Sequence, residues 1–160
     1  MKPILLATDG SPSATEATRK AIELAKALDV PLVAVGVEHV DVPAYGYFGY
    51  AQLYDEVRRI EHEHVISVLE DTAANARENG VSCHMIAATG TVVEEICRIA
   101  RDRGAQLIVI GAHGWKPFRR LLFGSVSLGV LHEAPCPVLV ARGAATAEDA
   151  PAETLTATAV

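Results

Sequence analysis

The sequence predicts an α/β domain built on an open, doubly wound, five-stranded parallel sheet with helices on both faces. Three observations predict it. Five short runs rich in Val, Ile and Leu alternate along the chain with four segments of helical periodicity, the pattern of successive βαβ units with right-handed crossovers. The runs are apolar at consecutive rather than alternate positions, as strands covered on both faces require. At 160 residues, half of them hydrophobic, the chain has the length of one domain, and such a domain buries roughly 70% of its unfolded surface.

The first run, "ILLAT" (4–8), stops at Asp9-Gly10-Ser11-Pro12. Ser11 suits a helix N-cap and Pro12 the first helical position, where a missing N–H costs nothing. Ala17, Ala21, Leu24, Ala25 and Leu28 then recur at three- and four-residue spacing, one buried face of a helix over 14–28. "PLVAVGVEHV" (31–40) is the second strand. The next stretch, 45–54, gathers Tyr45, Tyr47, Phe48, Tyr50 and Tyr54 among glycines, five of the chain's seven Phe and Tyr side chains, and predicts a lid or contact surface.

A long helix is predicted from about residue 54 to 79, with Val57, Ile60, His64, Val68, Leu69 and Ala73 along its apolar stripe and Gly80 ending it. "VSCHMIAA" (81–88) is the third strand. Gly90-Thr91 opens a helix whose apolar face is Val92, Val93, Ile96, Ile99 and Ala100, stopped by Gly104. "QLIVIGAHG" (106–114) is the fourth strand, apolar over 107–110. A fourth helix starts near Gly124-Ser125 and ends before "APCP", and "PVLVA", opening on Pro137 and closing on Ala141, is the fifth strand. The remainder lacks periodic large apolar residues, so the sequence predicts a domain over 1–142 and a disordered tail over 143–160.

The net charge of −6 argues against nucleic-acid binding, which needs clustered Lys and Arg. The apolar run at the N-terminus is too short for a signal peptide, and no stretch approaches the ~20 residues of a spanning helix, so a cytoplasmic location without membrane contact is expected. Cys83, Cys97 and Cys136 have no CxxC spacing and are expected to be reduced, buried thiols.

In doubly wound sheets, ligands sit beyond the carboxyl ends of the strands where the winding reverses. Two loops leave strand ends there with suitable chemistry: Thr8-Asp9-Gly10-Ser11, and "GAHGWKPFRRLLFGS" (111–125). Gly111 and Gly114 would let the backbone approach a ligand or take a positive φ. Gly124 and Ser125 begin a helix, whose unpaired N–H groups and positive dipole end favour a phosphate, with the hydroxyls of Ser125 and Ser127 as further donors. Asp9 is either a ribose or metal-water ligand or an Asx turn. His113 is either a ligand contact or turn packing, and Lys116, Arg119 and Arg120 either screen phosphate or form a solvated face. His62 and His64 in "EHEHV" lie two residues apart on a helix and point to different faces, so no metal site is predicted. No nucleophile–base set is legible, which favours binding over catalysis.

The spacing G-x-x-G, nine residues, then G-S, between an apolar strand and "APCPVLVAR", resembles the motif G-2x-G-9x-G-S/T of the ATP-binding branch of the universal stress protein family. "ILLATDGS" resembles that family's opening strand and Asp turn, so the likeness spans residues 2–142. It implies the adenine nucleotide alpha-hydrolase-like fold with strand order 3-2-1-4-5, and ATP as ligand, any Mg²⁺ being held mainly by the phosphates and waters. By the same resemblance Asp9 and the backbone of Ala7 and Thr8 contact the nucleoside at the end of the crevice away from the glycines. Val37 touches adenine, and Gly111, Gly114, Gly124, Ser125, Val126 and Ser127 hold ribose and phosphates. It implies a homodimer through the strand from Pro137 to Ala141, a nucleotide-dependent stress or signalling role, and no particular protein partner. A slow ATPase or other nucleotide hydrolase and a nucleotide-free adaptor are the competing readings. The chain departs from the family at Gly36, where a larger residue is common and whose absence would loosen the adenine wall, and at the bulky Trp115, Pro117 and Phe118, which either cover the phosphates or pack on the lid.

Overall fold

Among the described residues nine elements alternate between strand and helix: β1 (Ile4–Ala7), α1 (Pro12–Leu28), β2 (Leu32–Glu38), α2 (Ala51–Glu78), β3 (Cys83–Thr89), α3 (Val92–Asp102), β4 (Leu107–Gly111), α4 (Ser125–Glu133) and β5 (Val138–Ala141). In this computed structural model the described residues are 1–38, 51–114 and 124–142. The expectations for residues 45–50, for Trp115, Lys116, Pro117, Phe118, Arg119 and Arg120, and for the tail over 143–160 lie outside them. The sheet is parallel throughout, in the predicted order β3-β2-β1-β4-β5. β1 is central, with Ile4 facing Leu32 on one side and Leu107 on the other.

Alternation along β1 divides the core between the two faces of the sheet. Ile4 and Leu6 pack with Ala17, Ala21, Ile22 and Ala25 of α1 and Ala76 of α2. Leu5 and Ala7 pack with Ile96, Ile99 and Ala100 of α3 and Val130 of α4. No β1 residue is more than 6% exposed, and each large aliphatic side chain buried in this way contributes roughly 1.5–3 kcal/mol. Winding runs outward from β1 through β2 to β3, then returns across the sheet to β4. The reversal therefore lies between β1 and β4.

Helix ends follow the local chemistry. Ser11 caps α1, its side chain accepting from the Ala14 N–H at 3.4 Å, and Pro12 takes the first helical position. Gly80 (φ 77°) and Gly104 (φ 60°) follow α2 and α3 in the left-handed conformation. Three arginines, Arg19, Arg59 and Arg98, each bridge acidic residues three positions before and four after on solvated helix faces.

Two predicted stripes are corrected. Leu28 is 54% exposed and does not close the apolar face of α1. α2 begins at Ala51, taking in the last four positions of the aromatic stretch, and its buried stripe is Val65, Leu69, Thr72, Ala73 and Ala76, while Val57 and Ile60 are more than half exposed. A 28-residue helix is about 42 Å long, whereas the seven-residue strand β2 spans only about 23 Å. The helix is longer than the strand it packs on, and Val57 and Ile60 near its start are exposed.

Candidate functional site

β1 and β4 deliver their carboxyl ends side by side, and the chain leaves them for helices on opposite faces of the sheet. The crevice between holds a cavity of about 680 Å³, the size of a small-molecule site. One wall is apolar: Val35 and Val37 from β2, Val92 and Ile96 from α3, and Ile110 from β4. The polar end is formed by Asp9, Gly114 and the start of α4.

Asp9 forms the Asx turn and also lines the cavity. Its Oδ1 accepts the Ser11 N–H at 3.0 Å, an Asx turn that carries β1 into α1. Its Oδ2 lies 3.1 Å from where a Cβ on Gly114 would stand. The carboxylate thus sits against the glycine loop, which corrects the expectation that it occupies the opposite end of the crevice. Ala7 and Thr8 also line the cavity, with the Thr8 N–H donated to the Val35 carbonyl at 3.0 Å.

The glycines divide by role. Neither Gly111 nor Gly114 adopts a positive φ. A Cβ on Gly111 would meet the carbonyl carbon and Oγ of Ser13 at 2.8 Å and the Ala14 nitrogen at 2.9 Å, so this glycine admits the first turn of α1, and it also lines the cavity. At Gly124 the nearest atom to an added Cβ is the Ala112 oxygen at 3.4 Å, an ordinary contact. Protein packing does not require glycine there. Its own N–H is already donated to Ala112 O at 2.7 Å.

Ser127 is 2% exposed, and its hydroxyl lies 3.0 Å from both Ala112 O and Gly124 O. In this arrangement the hydroxyl holds the loop to α4, and Ser127 lines the cavity as well. The donors that remain belong to the first turn of α4, whose N-cap is a glycine without a side chain to satisfy them. Ser125 and Val126 lead that turn into the cavity, where the positive end of the helix favours an anion.

α2 supplies a wall that the sequence reading missed. Glu61, His64, Val65 and Val68 line the cavity, His64 Nε2 lies 3.3 Å from Asp9 O, and Val68 fills the space over Gly10, which adopts a φ of 74°. These four residues share one helix face at three- and four-residue spacing; His64 and Val68 belong to the predicted stripe, and Glu61 and Val65 lie beside it. Gly36 is absent from the lining, and a Cβ there would meet Val65 Cγ1 at 2.7 Å. It seats α2 on β2 and leaves the wall around Val37 intact, against the expectation that it loosens it.

His62 turns away from His64 and meets the buried Glu38 carboxylate, Nδ1 to Oε1, at 2.5 Å. Among the described residues no three His, Cys, Asp or Glu form a group able to hold a metal ion. Cys97 is buried, whereas Cys83 and Cys136 are only half-buried; all three are free, and desolvation pushes each thiol pKa up. None of the described helices is long and apolar enough to cross a membrane.

Sheet order, four helices and a crevice at the reversal between β1 and β4 define an α/β domain of the adenine nucleotide alpha-hydrolase-like fold. The chain belongs to the universal stress protein family, whose model matches residues 1–142. The universal stress protein YxiE of Bacillus subtilis is 32% identical over 145 residues, covering 87% of this chain and 97% of that protein. Universal stress protein UspA from Lactobacillus plantarum superposes with a TM-score of 0.79 at 24% identity, covering 88% of this chain and 97% of that one. Two further solved members carry nucleotides. An Arabidopsis thaliana protein with AMP bound has a TM-score of 0.67 at 20% identity, covering 96% and 97% of the two chains. An Archaeoglobus fulgidus protein in complex with dAMP has a TM-score of 0.62 at 23% identity, covering 88% and 98%.

Proposed function

We propose that this chain binds ATP in the crevice and acts as a nucleotide-responsive stress or signalling protein of the cytoplasm. The observation that carries the reading is the pairing, in one cavity, of an apolar wall from Val37 to Ile110 with the glycine-capped start of α4. A flat base fits the first, and a phosphate is matched to the second by backbone N–H groups and the helix dipole. Asp9 Oδ2, between them, is a fitting acceptor for a ribose hydroxyl. AMP and dAMP in solved members of the family support the adenine nucleotide. ATP in particular rests on the complete G-2x-G-9x-G-S spacing.

Isothermal titration tests the reading, with saturable binding of ATP expected. Gly124→Val keeps an accessible backbone conformation (φ −73°, ψ 165°) but puts a branched side chain at the anion position, and it is expected to weaken ATP on the order of 100-fold. Absence of binding at millimolar ATP, or a Gly124→Val variant of unchanged affinity, contradicts the assignment.

A homodimer through β5 completes the proposal. Among the described residues β5 pairs with β4 on one side only, Val138, Leu139 and Val140 are half-buried, and Leu128 and Leu131 of the adjacent α4 are 47% and 42% exposed. An apolar edge of this kind is a template for a second strand. Sedimentation is expected to give a dimer, and a monomer at 100-micromolar concentrations, roughly the level at which weak interfaces fill, contradicts it.

A further inference from the structure

The search for unused chemistry leads to Ser13. It is a buried residue in the first turn of α1, absent from the cavity lining, yet its hydroxyl engages both backbone polar groups of one residue of the glycine loop, His113. Ser13 Oγ accepts the His113 N–H at 3.2 Å and donates to the His113 carbonyl oxygen in a short hydrogen bond. Ser11 Oγ lies 3.4 Å from the same carbonyl. The missing Cβ of Gly111 is what allows this approach, because a side chain there would collide with Ser13 itself.

We propose that Ser13 is a positioning residue for phosphate recognition, setting the direction in which Gly114 and the start of α4 face the cavity. The loop is held at three points. Ala112 N–H is donated to Ala141 O at 2.7 Å, tying the loop to β5, and Ala112 O accepts from Gly124 N at 2.7 Å and from Ser127 Oγ, tying it to α4. Ser13 supplies the third tie, to α1. Without it, the His113 N–H loses this tie to α1, its carbonyl keeps Ser11 Oγ at 3.4 Å, and the spacing between Gly114 and Ser125 is less tightly set. Because the His113 N–H is committed to Ser13, it is not an anion donor, and the phosphate contacts fall to Gly114 and to Ser125 and Val126.

This inference rests on the nucleotide reading above, and it predicts a loss confined to the phosphate end of the ligand. Ser13→Ala removes one oxygen and leaves the Ser11 cap and Pro12 in place. ATP affinity is expected to fall roughly tenfold, while adenosine, which lacks phosphate, binds the variant as it binds the parent protein. Amide exchange at His113 in the ligand-free variant is expected to accelerate by at least about fivefold. Unchanged ATP affinity, or an equal loss for ATP and adenosine, overturns the proposal, because a merely destabilised fold weakens both ligands alike. Parent protein that binds neither ligand overturns the nucleotide reading itself. In that case unaltered His113 exchange in the variant overturns the clamp as well, and accelerated exchange retains Ser13 as the residue that holds the loop.

Discussion

Two helix starts face each other across the boundary between β1 and β4, and the chain treats them differently. α1 is closed by its own sequence: Ser11 caps it, Pro12 removes one donor, and Asp9 takes the Ser11 N–H. α4 begins at a glycine with no side-chain cap, and its first turn opens into the cavity. Of the donors that a helix start leaves without an intrahelical partner, α1 meets its own through Ser11 and loses one to Pro12, whereas at α4 the Gly124 N–H goes to Ala112 O and no side chain caps the turn that follows. The proposed function rests on that difference.

The sharpest way to break that contrast is Gly124→Val, with its expected loss on the order of 100-fold in ATP affinity and the fold retained. A subtler change makes α4 resemble α1. Gly124→Ser provides a capping oxygen for the amides that the ligand would use, so ATP affinity is expected to fall about tenfold while stability rises by a few tenths of a kcal/mol. Paired titration and thermal melting would show it; a Gly124→Ser protein that binds ATP as tightly as the parent would mean that the α4 amides are not the anion site. The smallest effect is expected at the other helix. Ser11→Ala removes a structural cap, costing about 1 kcal/mol and lowering Tm by about 2–4 °C, with ATP affinity changed less than about threefold. A larger loss of affinity than of stability would erase the distinction between the two starts.

How much of this was legible follows from which interactions are local. Strand runs, the Ser11-Pro12 cap and the glycine stops are written in adjacent residues, and the elements built on them stand where the sequence predicts, with ends shifted by a few residues. The crevice was placed by the alternation of elements and the glycine spacing. What the sequence left hidden depends on partners distant in the chain. At Gly111 nothing nearby in the chain reveals the close approach of Ser13, about 100 residues away. The carbonyl acceptors of the Ser127 hydroxyl likewise come together in the assembled fold. On α2, periodicity fixes an apolar side without fixing what covers it: of the predicted stripe, Val57 and Ile60 stand exposed while His64 and Val68 line the cavity, where Glu61 and Val65 join them from beside that stripe.

The central claim is that the first turn of α4 is kept open for phosphate. Backbone amide chemical shifts test it most directly, by titrating ATP and, in parallel, adenosine into uniformly labelled protein. Saturable shifts of the Ser125, Val126 and Gly114 amides with ATP, small or absent with adenosine, while Val37 responds to both, are the predicted result. Saturation by ATP with Ser125 and Val126 unmoved would contradict it.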